Sequence, residues 1–261
     1  MNYQFCLRTD TGLMRENNED SVLLDEACGL AVLADGMGGY NAGEVASSMT
    51  TRHVQLELAP WLLQPGNQAS GRELRRALEI CVDNANRAIF DASRNNRSYS
   101  GMGTTLVVGV FQPFRAVLGH IGDSRCYRWR DSSLTQLTRD HSLLQEQLDA
   151  GLVTPEQAAV STHRNLVTRA LGVADAVVLD VSEHRVDPGD MFLMCSDGLS
   201  DMLSDSEIAR ILALPEPLER RADELVVQAN ANGGRDNISV VLVQAGDAPQ
   251  RRGLLSRLLG E

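Results

Sequence analysis

Apolar positions along this chain follow two rhythms. Short runs rich in Val, Leu and Ile, closed by Gly, Asp or Pro, predict strands. They fall at 3–8, 22–24, 29–34, 104–111, 114–121, 126–129, 134–137, 176–186, 191–195 and 238–244. The first alternates weakly and reads as an edge strand. Gln112-Pro113 between two of the runs is a hairpin signature, and 176–186 reads as one long strand or a strand pair. Longer stretches repeat every three or four residues and predict helices. The clearest covers about 73–93, where Leu74, Ala77, Leu78, Cys81, Val82, Ala85 and Ile89 make one stripe. Others are expected over about 42–63, 143–149 and 218–230. Ser204 with Glu207 forms a capping box for one more.

Residues 30–39 organise the rest. Leu30, Ala31, Val32, Leu33 and Ala34 suit a strand covered on both faces. The run ends on Asp35, and Gly36, Gly38 and Gly39 follow, so the strand is expected to stop there and turn. This presents a carboxylate at the lip of the core, with the Gly36 carbonyl beside it. Oxygen ligands of this kind suit Mg²⁺ or Mn²⁺. Alone, an Asp-Gly turn needs no ligand.

The pattern recurs. Asp123 follows one apolar run, Asp197 another, and Asp236 precedes the last, each with Gly close by. Charge-dense 15–20 places Glu19 and Asp20 at the entry to a strand. Singly these are turns and solvated loops; together they suggest one oxygen-rich site built from distant parts of the chain.

Residues 151–172 are poor in large apolar side chains and read as a surface insertion of short helices. No repeat or linker interrupts 1–246, which reads as one domain. Residues 247–261 form a tail, with Leu254, Leu255, Leu258 and Leu259 able to line one side of a short helix. That tail is either frayed or a docking segment.

The 261 residues suffice for one large domain or two small ones. The net charge of −11, from 24 basic and 35 acidic residues, argues against nucleic acid. It argues against phosphate too, unless carboxylates hold divalent cations and invert the local field. Five scattered cysteines without a Cys-x-x-Cys pair suit a reducing compartment. The first residues lack a signal-peptide pattern, and no apolar run reaches the ~20 residues of a membrane span. The expectation is a cytoplasmic protein that needs nothing beyond a monomer.

Calcium loops, zinc motifs, the P-loop and the Gly-x-Ser-x-Gly elbow are all absent. The carboxylate set points instead to two or more hard cations close together. Such a pair clamps a phosphoryl group and lowers the pKa of a bridging water. An arginine that holds the other phosphate oxygens completes the chemistry, and Arg15 is the candidate.

At this point a resemblance is plain. Arg15-x-x-Asn18-Glu19-Asp20, Asp35-Gly36-Met37-Gly38-Gly39, Gly103-Thr104-Thr105, Gly122-Asp123-Ser124-Arg125, Asp140-His141-Ser142, Ser196-Asp197-Gly198-Leu199 and Asp236-Asn237-Ile238-Ser239 stand in one order across about 5–245. The chain resembles the metal-dependent PP2C (PPM) family of serine/threonine protein phosphatases, in its compact bacterial form. The resemblance implies an α+β fold, a four-layer α/β/β/α sandwich of two packed antiparallel sheets flanked by helices. It implies Mn²⁺ or Mg²⁺ as cofactor: two core ions and a third, weaker site. Asp35 would bridge the core ions, and Gly36 would lend its carbonyl. Asp197 and Asp236 would ligate the second ion. Glu19 and Asp20 would hold metal-bound waters, and Arg15 the substrate phosphate. Asp123 with Asp197 would form the third site. Residues of about 143–165 would be a mobile flap.

One departure stands out. Met37 occupies the place where many eukaryotic members carry a His assigned as general acid, a substitution bacterial members commonly share. Met cannot donate a proton, so the expected donor is a water near Asp123. The expected partners are phosphorylated proteins and a cognate serine/threonine kinase that the enzyme opposes. The rival reading is a pseudophosphatase that binds a phosphoprotein without turnover. Arg15 and the full carboxylate set favour the enzyme.

Overall fold

The computed structural model describes residues 1–38, 42–64, 69–154, 157–158 and 166–246. Two antiparallel sheets pack face to face. One contains β1 (Tyr3–Asp10), β7 (Arg125–Arg130), β8 (Ser133–Gln136), β10 (Met191–Cys195) and β11 (Ile238–Ala245), in the order β1-β11-β10-β7-β8. The other contains β2 (Asp20–Asp25), β3 (Leu30–Met37), β5 (Leu106–Gln112), β6 (Arg115–Ile121) and β9 (Asp180–Arg185), in the order β2-β3-β5-β6-β9. The short β4 (Gly103–Thr104) pairs with the end of β3.

Strand alternation sorts the apolar side chains into three cores. Ala31, Leu33, Val107, Phe192, Met194, Val241 and Val243 point between the sheets. Leu30, Val32, Leu106, Val108 and Val110 point the other way, onto α1 (Ala42–Leu62) and α2 (Gly71–Asn95). Leu193, Cys195, Val240 and Leu242 face the helices Asp205–Leu212 and Leu218–Ala231. The expected four-layer α/β/β/α sandwich is what forms. Leu33 and Phe192 are fully buried, and each contributes about 1.5–3 kcal/mol of apolar burial. The capping box at Ser204 is present, and Ser70 with Glu73 makes another, so α2 starts at Gly71 rather than near 73.

Four expectations need correction. The strand through Asp35 does not stop there. It continues to Met37, because β4 extends the ladder with Gly36 opposite Thr104 and Met37 opposite Gly103. Gly36 marks a close approach instead of a turn: a Cβ there would lie 2.1 Å from the Gly43 carbonyl oxygen. The run at 104–111 divides into β4 and β5, because the amide of Thr105 donates to the Asp35 carbonyl. Strand β9 begins at Asp180 and not at 176, since its partner β6 ends one residue past His120, which faces Asp180. Finally, 151–172 is not all surface, for Leu171 is fully buried and pairs with Thr104.

All five cysteines are free thiols. Among the described residues, no helix is long and apolar enough to cross a membrane. The tail at 247–261, with its docking alternative, lies outside the described residues, as do 155–156 and 159–165 of the expected flap.

Candidate metal centre

The carboxylates meet at one end of the sandwich. Strands β2 and β3 place Asp20 directly opposite Asp35. Strand β10 runs into Ser196, and Asp197 opens the one-turn helix Asp197–Ser200. Asp236 lies just before β11. Asp123 follows β6 on a turn at Gly122, which has φ 103° and leaves no room for a Cβ beside Thr105. A cleft of about 250 Å³ is lined by Arg15, Glu19, Asp35, Gly36, Asp123, Asp197 and Asp236. Seven of the eight residues singled out from the sequence thus line one cleft, and the eighth, Asp20, is paired with Asp35 across the strands.

A neighbouring cleft of about 300 Å³ shares Asp123 and Asp197 and runs beneath Leu144, Gln145 and Leu148 of α3 (Leu143–Asp149). A roomier cleft, about 820 Å³, sits at the other end of the sheets, beside Tyr3, Phe5 and Phe111. Glu26 is its one carboxylate among the described residues. Convergent charge, not volume, identifies the site.

Backbone and hydroxyl groups hold these carboxylates in place. The Asp35 amide donates to Thr105 Oγ1 at 3.0 Å, and Thr104 Oγ1 donates to the Asp35 carbonyl at 2.8 Å. Ser196 Oγ donates to Asp20 Oδ2 at 2.8 Å, joining the two sheets. Asn237 Oδ1 accepts from the Glu19 amide at 2.8 Å, while its Nδ2 donates to the Thr11 and Asn17 carbonyls at 2.9 Å. Sequence reasoning gave no role to Thr104, Thr105, Ser196 or Asn237. The available signal was their place in the motif segments, where Ser196 and Asn237 each stand beside a carboxylate.

The electrostatics are those of like charges crowded out of water. Burial pushes Asp35 well above the usual carboxylate range, and the charges of Asp20, Asp197, Asp123 and Asp236 push it further. Asp197 is raised in the same way, by burial and then by Asp123, Asp201, Asp236 and Asp20. Burial raises Asp20 to about 7 and Asp123 to about 6. Glu19 is raised by burial against the pull of Arg15. Arg15 Nη2 donates to Asp236 Oδ2 at 2.6 Å from a half-exposed side chain.

These residues fit hard divalent cations. Every donor is oxygen, Asp20 Oδ1 is buried with no hydrogen-bond partner, and the repulsion among the carboxylates is what a cation relieves. Among the described residues, no three His, Cys, Asp or Glu side chains form a ready-made cage.

The family model described as protein phosphatase 2C matches residues 13–242. The chain belongs to the protein phosphatase 2C family. It is 36% identical over 240 residues to the serine/threonine phosphatase Stp of Listeria monocytogenes, covering 91% of this chain and 94% of that one. It is 42% identical over 245 residues to the serine/threonine protein phosphatase PstP of Mycobacterium tuberculosis, covering 94% of this chain but 45% of that protein. A crystal structure of PstP superposes with a TM-score of 0.86 at 38% identity, covering 95% of this chain and all of that one. The PstP catalytic domain has also been solved with two manganese ions, and it matches this chain with a TM-score of 0.83 over 94% of its length. The 2C phosphatase fold is therefore common to this chain and a relative solved with two manganese ions.

Proposed function

We propose that this 2C phosphatase hydrolyses phosphoserine and phosphothreonine on proteins, using two Mn²⁺ or Mg²⁺ ions. The observation that carries this reading is the convergence of Asp35, Asp123, Asp197 and Asp236 on one cleft, with Arg15 at its rim. When bound, two such ions clamp the phosphoryl group and activate water for in-line attack. Asp35 would hold both ions, and Gly36 would offer its carbonyl to one. Asp197 and Asp236 would hold the other. Glu19 and Asp20 would orient waters there. Asp123 and Asp197 would make the third, weaker site. Met37 lines the cleft and cannot protonate the leaving alkoxide, so a water near Asp123 would be the proton donor. The enzyme opposes a serine/threonine kinase in a bacterial signalling pathway.

Arg15 leaves Asp236 to receive the phosphate in this reading. Its guanidinium binds two phosphate oxygens at once, and a charged hydrogen bond is worth about 1.5–3 kcal/mol. Arg15→Ala is expected to lower kcat/KM on a phosphothreonine peptide by about 10- to 100-fold. Phosphate release in Mn²⁺, compared with EDTA, measures it. Unchanged kcat/KM in the variant would remove Arg15 from substrate binding. Phosphate release by the wild type that persists in EDTA would overturn the metal-dependent reading.

A further inference from the structure

His141 lies outside every role assigned above, yet its contacts converge on Asp123. It is 6% exposed. Its Nδ1 accepts a hydrogen bond from the Gly122 amide at 3.0 Å, and its own amide donates to the Gly122 carbonyl at 2.7 Å. An amide donor fixes the tautomer: Nδ1 carries the lone pair, so Nε2 carries the proton and donates to Asp180 Oδ2 at 3.0 Å. Asp180 is held in turn by Arg169 at 2.9 Å. The ring stacks on His120 with centroids 4.7 Å apart, and His120 Nε2 donates to the Ser124 carbonyl at 3.0 Å. The two histidines thus grip the residues on either side of Asp123.

The same residue anchors the base of the 143–165 segment. The His141 carbonyl accepts from the Thr168 amide at 2.8 Å, and the Leu143 amide donates to the Leu166 carbonyl at 2.9 Å. Next to it, Asp140 takes the Arg125 guanidinium on Nε and Nη2. Residues 140–143 therefore tie one turn to both ends of one insertion. A packing histidine would need none of this directional bonding.

We propose that His141 is a positioning residue that locks the Gly122–Asp123 turn to the base of the 143–165 segment, presenting Asp123 to the third metal site. This rests on the metal role of Asp123 proposed above. Asn and Gln separate the two ends of the ring. An Asn oxygen stands near the place of Nδ1 and keeps the acceptor for Gly122. A Gln amide stands near Nε2 and keeps only the donor to Asp180.

The test uses the full chain without substrate. Mn²⁺ affinity is measured by titration, and exchange of the Gly122 amide by hydrogen exchange. His141→Gln is expected to weaken the weakest Mn²⁺ site by about tenfold or more, as loss of a ligand-orienting hydrogen bond does, and to speed Gly122 exchange. His141→Asn is expected to stay within about threefold of wild type in both. Equal behaviour of the two variants overturns the proposal. If either fails to fold, the wild type decides: a Gly122 amide that exchanges as fast as an exposed loop amide overturns the proposal. A wild-type chain that binds no Mn²⁺ defeats the metal reading instead, and the exchange arm still reports on the His141 lock.

Discussion

Asp35→Asn is expected to lower phosphatase turnover by more than about 100-fold and to raise the melting temperature of the metal-free protein. Both effects come from one carboxylate. Loss of groups that merely orient a ligand already costs about 10- to 100-fold in metal affinity or activity, so loss of the proposed shared ligand should cost more. The fold does not depend on that charge. The Asp35 backbone is held by Thr104 and Thr105, and Asn keeps those bonds. Without metal, the buried charge is a liability, because burial and the facing carboxylates push its pKa well above the ordinary range. Asn has the same shape and no charge. Steady-state rates in Mn²⁺ and a melting curve in EDTA above pH 7 check the two halves. A variant within tenfold of wild-type activity, or one that melts lower in EDTA, contradicts the account.

The second large effect is a pH dependence that metal erases. Asp20 and Asp123 have folded pKa values raised to about 7 and about 6, mainly by burial, against about 4 in an unfolded chain. Between those values the folded state binds more protons than the unfolded one, so stability falls as pH rises. The metal-free protein should be most stable near pH 4 as far as these groups are concerned, and should lose that stability up to about pH 7 and beyond. A carboxyl moved from about 4 to about 6 alone contributes about 3 kcal/mol. Saturating Mn²⁺ favours the ionised carboxylates and restores stability at pH 7 to 8 by mass action. Melting curves at pH 5 and pH 8, with EDTA and with Mn²⁺, test it. A metal-free protein that gains stability from pH 5 to pH 8 contradicts the assignment of these carboxylates to one buried site.

The parts of this site readable in the sequence were those that break a pattern. An Asp beside Gly at the end of an apolar run is conspicuous, and Asp35, Asp123 and Asp197 carried that mark, while Asp236 stood just before a run with glycines close by. The sheets were readable because Leu30–Ala34 and Ile238–Val243 leave no polar face to solvent. The extension of β3 through Gly36 was not, because a glycine that turns and a glycine that admits a neighbouring backbone look alike in one dimension. Only the Gly43 carbonyl distinguishes them. The supporting polar residues were hidden for another reason. Ser196 acts on Asp20 from 176 positions away, and Asn237 reaches Thr11 across 226. Spacing carries no trace of such contacts. His141 stood within a motif, but its hold on Gly122 exists only once β6 has delivered the turn.

The most direct test of the central claim is hydrolysis of p-nitrophenyl phosphate and a phosphothreonine peptide by wild type and Asp197→Ala, each in Mn²⁺, Mg²⁺ and EDTA. The account predicts turnover by the wild type only with metal, and none by a folded Asp197→Ala. A folded wild type that turns over neither substrate in excess Mn²⁺, or an Asp197→Ala as active as wild type, would contradict it.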